Sequence, residues 1–95
     1  LHMLYKRYQK KTLLVITDHP EEVYHVIRDN TNHDATQFTG VGCYEGQDRQ
    51  MLYSVVSAEE AKNTIRDIRK TDPKAFINCL STEQITGRFY TRPND

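Results

Sequence analysis

Cysteine is scarce in this chain: Cys43 and Cys79 are the only two among 95 residues. Two thiols are too few for a disulfide framework, and neither belongs to the C-x-x-C spacing of zinc or redox sites. Both occur in strand-like stretches, so they are expected as buried small hydrophobes in a reducing compartment. Long apolar runs are missing as well. The longest, Leu13 to Ile16, falls far short of the ~20 residues that span a bilayer, and no signal-peptide core is present. Nor does charge of either sign dominate, since 13 Lys and Arg face 13 Asp and Glu. That balance argues against strong nonspecific binding to nucleic acid, which needs a net positive field.

What is present suffices for one small water-soluble domain. A chain of this length hides roughly two-thirds of the surface its unfolded form exposes, enough for one core without disulfides or metal. The charges are unevenly placed. Lys6, Arg7, Lys10 and Lys11 precede the first acidic residue, Asp18, which leaves nine basic against thirteen acidic residues, a net of −4, for the remainder. Residues 1–11 therefore read as a basic lead-in, residues 12–90 as the folded domain and residues 91–95 as a polar tail. Tyr5 and Tyr8 interleave the basic residues, and such a segment can lie against anionic lipid headgroups. A solvated lead-in is the plainer reading of a charge run.

Thr12 to Thr17 (TLLVIT) is short, apolar and β-branched, and the turn-forming Asp-His-Pro follows it, so it predicts a strand. Asp18 as cap, Pro20 in the first turn and Glu21 and Glu22 at the positive end of the dipole predict a helix to about Asn30. Val23, Val26 and Ile27 give it one buried face. Thr36 to Tyr44 is the second extended stretch, with Gly40 and Gly42 marking a bulge or a close backbone approach. A turn at Glu45 to Asp48 leads to a third strand, Gln50 to Val56, completing a hairpin. Ser57 and Glu60 form a capping box for a second helix lined by Ala61, Ile65 and Ile68 and stopped by Asp72-Pro73. Ala75 to Leu80 is the fourth strand.

This order, βαββαβ, predicts an α+β ferredoxin-like sandwich: a four-stranded antiparallel sheet with two helices on one face. The strands carry a further implication. Leu13 and Val15 point one way and Leu14 and Ile16 the other; Met51, Tyr53 and Val55 likewise oppose Leu52 and Val56. A helix-free face that is apolar on two strands needs a cover. Self-association through the sheet is the simplest one, and the alternative is the C-terminal segment with Phe89 and Tyr90 folding back.

Signals for chemistry are sparse. His19 and His25 lie six residues apart, neither helix-face nor zinc-finger spacing, and His33 falls in another loop, so no metal site is expected and the histidines read as polar surface. No nucleophile elbow, P-loop or dinucleotide fingerprint occurs, and no local signature surrounds either cysteine. The chain is expected not to be an enzyme, with no catalytic residue and no cofactor. An RNA-binding sheet would want aromatic and basic residues on the first and third strands, where only Tyr53 is aromatic; nucleic acid is not an expected partner. An acylphosphatase-like site would want an arginine after the first strand, where Asp18-His19-Pro20 stands. The remaining candidate is a small-molecule pocket. Gly40 and Gly42 leave backbone N–H groups accessible, Tyr44 offers a stacking face and Arg49 a fork of donors, with Asp72, Pro73 and Phe76 in the loop before the fourth strand. The plainer reading keeps the glycines as shapers of the hairpin and Phe76 in the core.

A family pattern runs through these residues: Thr39-Gly40-Val41-Gly42-Cys43-Tyr44, a strand ending Ser54-Val55-Val56-Ser57, a helix beginning with Glu60, Asp72-Pro73-Lys74-Ala75-Phe76-Ile77, and Gly87-Arg88-Phe89. It resembles the C-terminal cytosolic domain of the YitT-type bacterial membrane proteins, a domain of unknown function, over roughly Thr12 to Phe89. The resemblance implies membrane helices upstream, a membrane-embedded portion as partner, and a cytoplasmic location for a domain whose basic N-terminal segment is a juxtamembrane linker. That family is similar in fold to the PII (GlnB-like) signalling proteins, trimers whose inter-subunit clefts bind nucleotides or other small metabolites. The resemblance thus implies a homo-oligomer, a trimer by analogy, and a nucleotide-like ligand between the Gly42 to Arg49 and Asp72 to Phe76 loops. The implied function is a regulatory, small-ligand-sensing domain, and the alternative is a structural oligomerisation module that binds nothing. The chain departs from the family pattern in carrying His33-Asp34 where an Arg-Gly pair is common, and Gly87-Arg88-Phe89 where the ending is Gly-x-Gly-Phe.

Overall fold

The computed structural model describes residues 9–87. Six elements follow in the order β1 (Lys10–Thr17), α1 (Pro20–Asn30), β2 (Thr36–Val41), β3 (Asp48–Ser57), α2 (Ala58–Thr71) and β4 (Phe76–Thr82). The sheet order is β2-β3-β1-β4, and every neighbouring pair is antiparallel. This is the α+β ferredoxin-like arrangement that the pattern predicts. Phe89, Tyr90, the polar tail 91–95 and most of the basic lead-in lie outside the described residues, so the idea of a folded-back cover falls there too.

Local chemistry explains where elements begin and end. β2 stops at Val41 rather than continuing to Tyr44, because Gly42 already closes the hairpin: its N–H donates to the Gln47 carbonyl at 2.7 Å and its carbonyl accepts from Gly46 N–H at 2.7 Å. Gly46 takes a positive φ of 72°, a conformation that disfavours any side chain. Helix α1 starts one residue later than a cap at Asp18 would have it. His19 occupies the cap position without a side-chain cap bond, while its N–H donates to Thr17 Oγ1 at 3.0 Å and Pro20 supplies the preset first turn. The capping box of α2 is complete: Ser57 Oγ accepts from Glu60 N–H at 3.1 Å, and Ser57 N–H donates to Glu60 Oε1 at 2.9 Å.

The two helices lie over one face of the sheet. Leu13 and Val15 of β1 and Leu52 and Val56 of β3 meet Val23 and Ile27 of α1 and Ala61 and Ile68 of α2, all buried. The strand residues alternate and the helix residues recur every three, four or seven positions, so the two periods converge on one layer.

The opposite face has no helix over it, and among the described residues only the segment after β4 approaches it, at one end, where Gln84, Ile85 and Thr86 line a hollow with Tyr53 and Val55. Pairing aligns Phe38, Met51, Ile16 and Phe76 in one row across all four strands. Tyr53 and Leu14 share the next row, and Val55 and Leu80 flank Thr12 in the third. Two expectations fail at the sheet margins. Phe76 does not pack in the core; its register opposite Ile16 turns it to the open, helix-free face, where on an edge strand it is 62% exposed. Both cysteines are free and exposed rather than buried. Cys43 sits in the hairpin turn, and Cys79 sits on β4, whereas the helices pack over β1 and β3.

Candidate functional site

Where β2 meets β3 at the Val41 end of the open face, a shallow groove of about 370 Å³ is lined by Ile16, Phe38, Gly40, Gly42, Arg49 and Met51, with neighbouring backbone of β2. Pairing brings the candidate residues here, since Gly40 stands opposite Arg49 in the ladder. Gly42 makes room for the cation: a Cβ in its place would come within 3.2 Å of Arg49 Nε. Its N–H, however, is spent on Gln47 and is not accessible to an anion as the sequence suggested. Gly40 has no positive φ, and its pairing with Arg49 continues the ladder, so the expected bulge is absent. A side chain at 40 would meet nothing within 4 Å.

The other candidates lie elsewhere. Phe76 shares the open face as the cross-strand neighbour of Ile16, and so borders the groove. Tyr44 is 98% exposed in the turn and takes no part in the groove. Pro73 is exposed in the loop before β4. Asp72 is buried on the helix side of the sheet, where its carboxylate accepts from the Thr17 hydroxyl at 2.5 Å and from Lys74 N–H at 3.1 Å. It clasps the end of α2 to the end of β1, which is structural work.

That clasp has a titration signature. The Thr17 hydrogen bond holds the Asp72 carboxyl below its ordinary value of 3.8, and the Lys74 N–H adds to this against the cost of burial. A folded-state pKa below the unfolded one stabilises the fold fully above the unfolded value, and the contribution vanishes as pH falls through the folded value. Acidification below about pH 4 should therefore destabilise the chain. Asp72→Asn is expected to flatten this acid limb in urea melts at stepped pH; an unchanged limb would remove the clasp from the account.

Electrostatically the open face is one-sided. Its strand positions carry Lys10 and Arg49 and no aspartate or glutamate. Among the described residues no carboxylate pairs with Arg49. At the far end of the sheet a second hollow of about 470 Å³ involves His33, Asp34, Thr36, Tyr53 and Thr86. Here the surface reading of His33 fails: its side chain is largely covered, with Nε2 3.4 Å from Glu60 Oε1, while Asp34 accepts from the Tyr24 hydroxyl at 2.9 Å. No spacing in the sequence announces this cluster, because its members come from a loop, two strands and the segment after β4.

Comparison with known proteins adds kinship. Residues 33–87 match the family model described as "Uncharacterized protein conserved in bacteria (DUF2179)". Two relatives come from Bacillus subtilis (strain 168): the UPF0750 membrane protein YxkD, 31% identical over 78 residues, and the UPF0750 membrane protein YitT, 24% identical over 86 residues. The alignments cover 82% and 90% of this chain but only 28% and 31% of those proteins. The chain thus spans less than a third of their length. The crystal structure of a functionally unknown protein from Pediococcus pentosaceus ATCC 25745 superposes with a TM-score of 0.68 over 86% of this chain and 99% of that one, at 14% identity, a likeness of fold.

Proposed function

The chain belongs to the DUF2179 family, as a YitT-type domain, and from that premise we propose that it is a regulatory, small-ligand-sensing domain of a bacterial membrane protein. Among the described residues no helix is long and apolar enough to cross a membrane, so in this reading the span belongs to the rest of the parent protein. The domain itself faces the cytosol, with Lys6 and Arg7 in the membrane-proximal stretch. Lys10 and Lys11, which the sequence assigned to the lead-in, instead belong to β1 and pair with β3 and β4. It catalyses nothing and serves by changing its state of occupancy.

One observation carries the reading: Arg49, a fork of donors with no carboxylate partner among the described residues, stands in an apolar groove on a face whose strand positions carry no acidic residue. An unpaired guanidinium beside apolar surface suits a ligand with a phosphate or carboxylate and a flat or apolar body. Phe38, 51% exposed, can supply the stacking face that Tyr44 does not. Two or more copies would bury the open apolar face, with a trimer the expectation by analogy. That exposed face equally favours the second reading, an oligomerisation module without a ligand.

Thermal melts against a panel of nucleoside mono-, di- and triphosphates and simple carboxylates separate the two. A ligand that binds only the native state raises the melting temperature by mass action. Losing a charge-assisted hydrogen bond is worth about 1.5–3 kcal/mol, so Arg49→Ala should weaken a hit by about tenfold or more. No shift across the panel, or a hit indifferent to Arg49→Ala, would turn the assignment toward the structural module.

A further inference from the structure

Strand β2 is an edge strand in which all six residues, Thr-Gln-Phe-Thr-Gly-Val, are exposed. Proteins guard such edges with lysine, proline, inward charges or bulges, because unpaired backbone groups recruit other strands. β2 has none of these: no charge, no proline, and an unbroken register from Thr36 opposite Tyr53 to Val41 opposite Asp48. The other edge, β4 (Phe-Ile-Asn-Cys-Leu-Ser-Thr), also lacks charge and proline, so the glycine within β2 is what distinguishes the two edges.

Gly40 sharpens the point. Glycine within a strand sacrifices about 0.5–1 kcal/mol relative to alanine and commonly marks a bulge, a bend or the close approach of something else. Within the described fold nothing calls for it: φ is not positive, the ladder is unbroken, and a Cβ would meet open space. Two residues away on the same face, Phe38 leaves half its surface exposed. An aromatic ring laid across a neighbouring strand's glycine satisfies both.

We propose that β2 pairs antiparallel with β2 of a second copy of the chain, about a two-fold axis through Thr39. Directly opposed residues of an antiparallel ladder share a face. Thr39 against the partner's Thr39 therefore sets Phe38 across the partner's Gly40, and Gly40 beneath the partner's Phe38. No like charges oppose one another, and the two open faces join into one continuous apolar surface. The partner's Phe38 also lends the Arg49 groove a further wall. That last point rests on the ligand reading; the pairing does not.

Cross-linking tests the register. With Cys43→Ser and Cys79→Ser in place, Thr39→Cys should form an intermolecular disulfide under mild oxidation, since directly opposed Cα atoms in an antiparallel ladder stand about 4.5–5.5 Å apart. Gln37→Cys, set opposite the partner's Val41, should cross-link far less. Hydrogen exchange on the unaltered chain tests the edge itself: the outward-facing amides of Gln37, Thr39 and Val41 should gain protection as concentration rises. Thr39→Lys, which sets two ammonium groups face to face, should abolish that gain and raise the dimer dissociation constant at least tenfold. Gly40→Val should weaken the dimer while the monomer stays folded. Association that leaves these three amides unprotected would overturn the pairing, as would a chain monomeric at every concentration. An Arg49→Ala chain that binds no anion but cross-links normally would separate the two claims.

Discussion

Leu13→Ala is expected to lower stability by about 3 kcal/mol, while Phe76→Ser, a comparable loss of apolar surface, leaves the isolated domain nearly as stable as before. Leu13 is fully buried between β1 and the helices, so its truncation forfeits both transfer energy and packing around a cavity. In a domain of this size each kcal/mol moves the midpoint by roughly 4–8 °C, which predicts a fall on the order of 12–24 °C. Phe76 is mostly in water, and exposed positions away from special features shift stability by about 0.5 kcal/mol or less. The contrast, read by circular dichroism melts at low protein concentration, shows which face of the sheet is the core. Equal losses at both positions would mean that the open face is already packed within one chain.

The second large effect concerns association. Phe76→Glu combined with Leu80→Glu places two carboxylates on the open face, where strand positions now carry none. If copies of the chain meet through this face, each carboxylate must be desolvated on assembly, at several kcal/mol apiece in effective terms. Sedimentation velocity should then show association weakened by tenfold or more, with the melt of the separated domain unchanged. Because both residues sit on β4, this variant leaves the β2 edge intact, so a residual dimer with protected Gln37, Thr39 and Val41 amides is the expected remainder. Undiminished association through anything but β2 would count against the open face as an interface.

Much of this was legible in the residues. The alternation of Leu13 and Val15 against Leu14 and Ile16 gave away both faces, because a period of two is unambiguous where large residues sit on each side. The Ser57 and Glu60 box located α2 to the residue, since both of its bonds are local. Gly40 and Arg49 were readable as neighbours once the hairpin was recognised. The failures came where the outcome depended on distant partners. Asp72 resembled a loop ligand until the fold delivered the Thr17 hydroxyl to it across 55 residues. Cys79 and Phe76 have the composition of core residues and lie on an edge strand, a fact set by sheet order and not by local pattern. Tyr44 was included for its chemistry, and the early closure of the turn at Gly42 directs it into solvent.

Native mass spectrometry of the purified chain at micromolar concentration tests the central claim most directly, because one spectrum reports the number of copies and any small molecule they retain. The account predicts an assembled species carrying a nonprotein mass, with that mass lost in Arg49→Ala while assembly persists. A bare monomer, unchanged by added nucleotides and indifferent to Arg49→Ala, would contradict it.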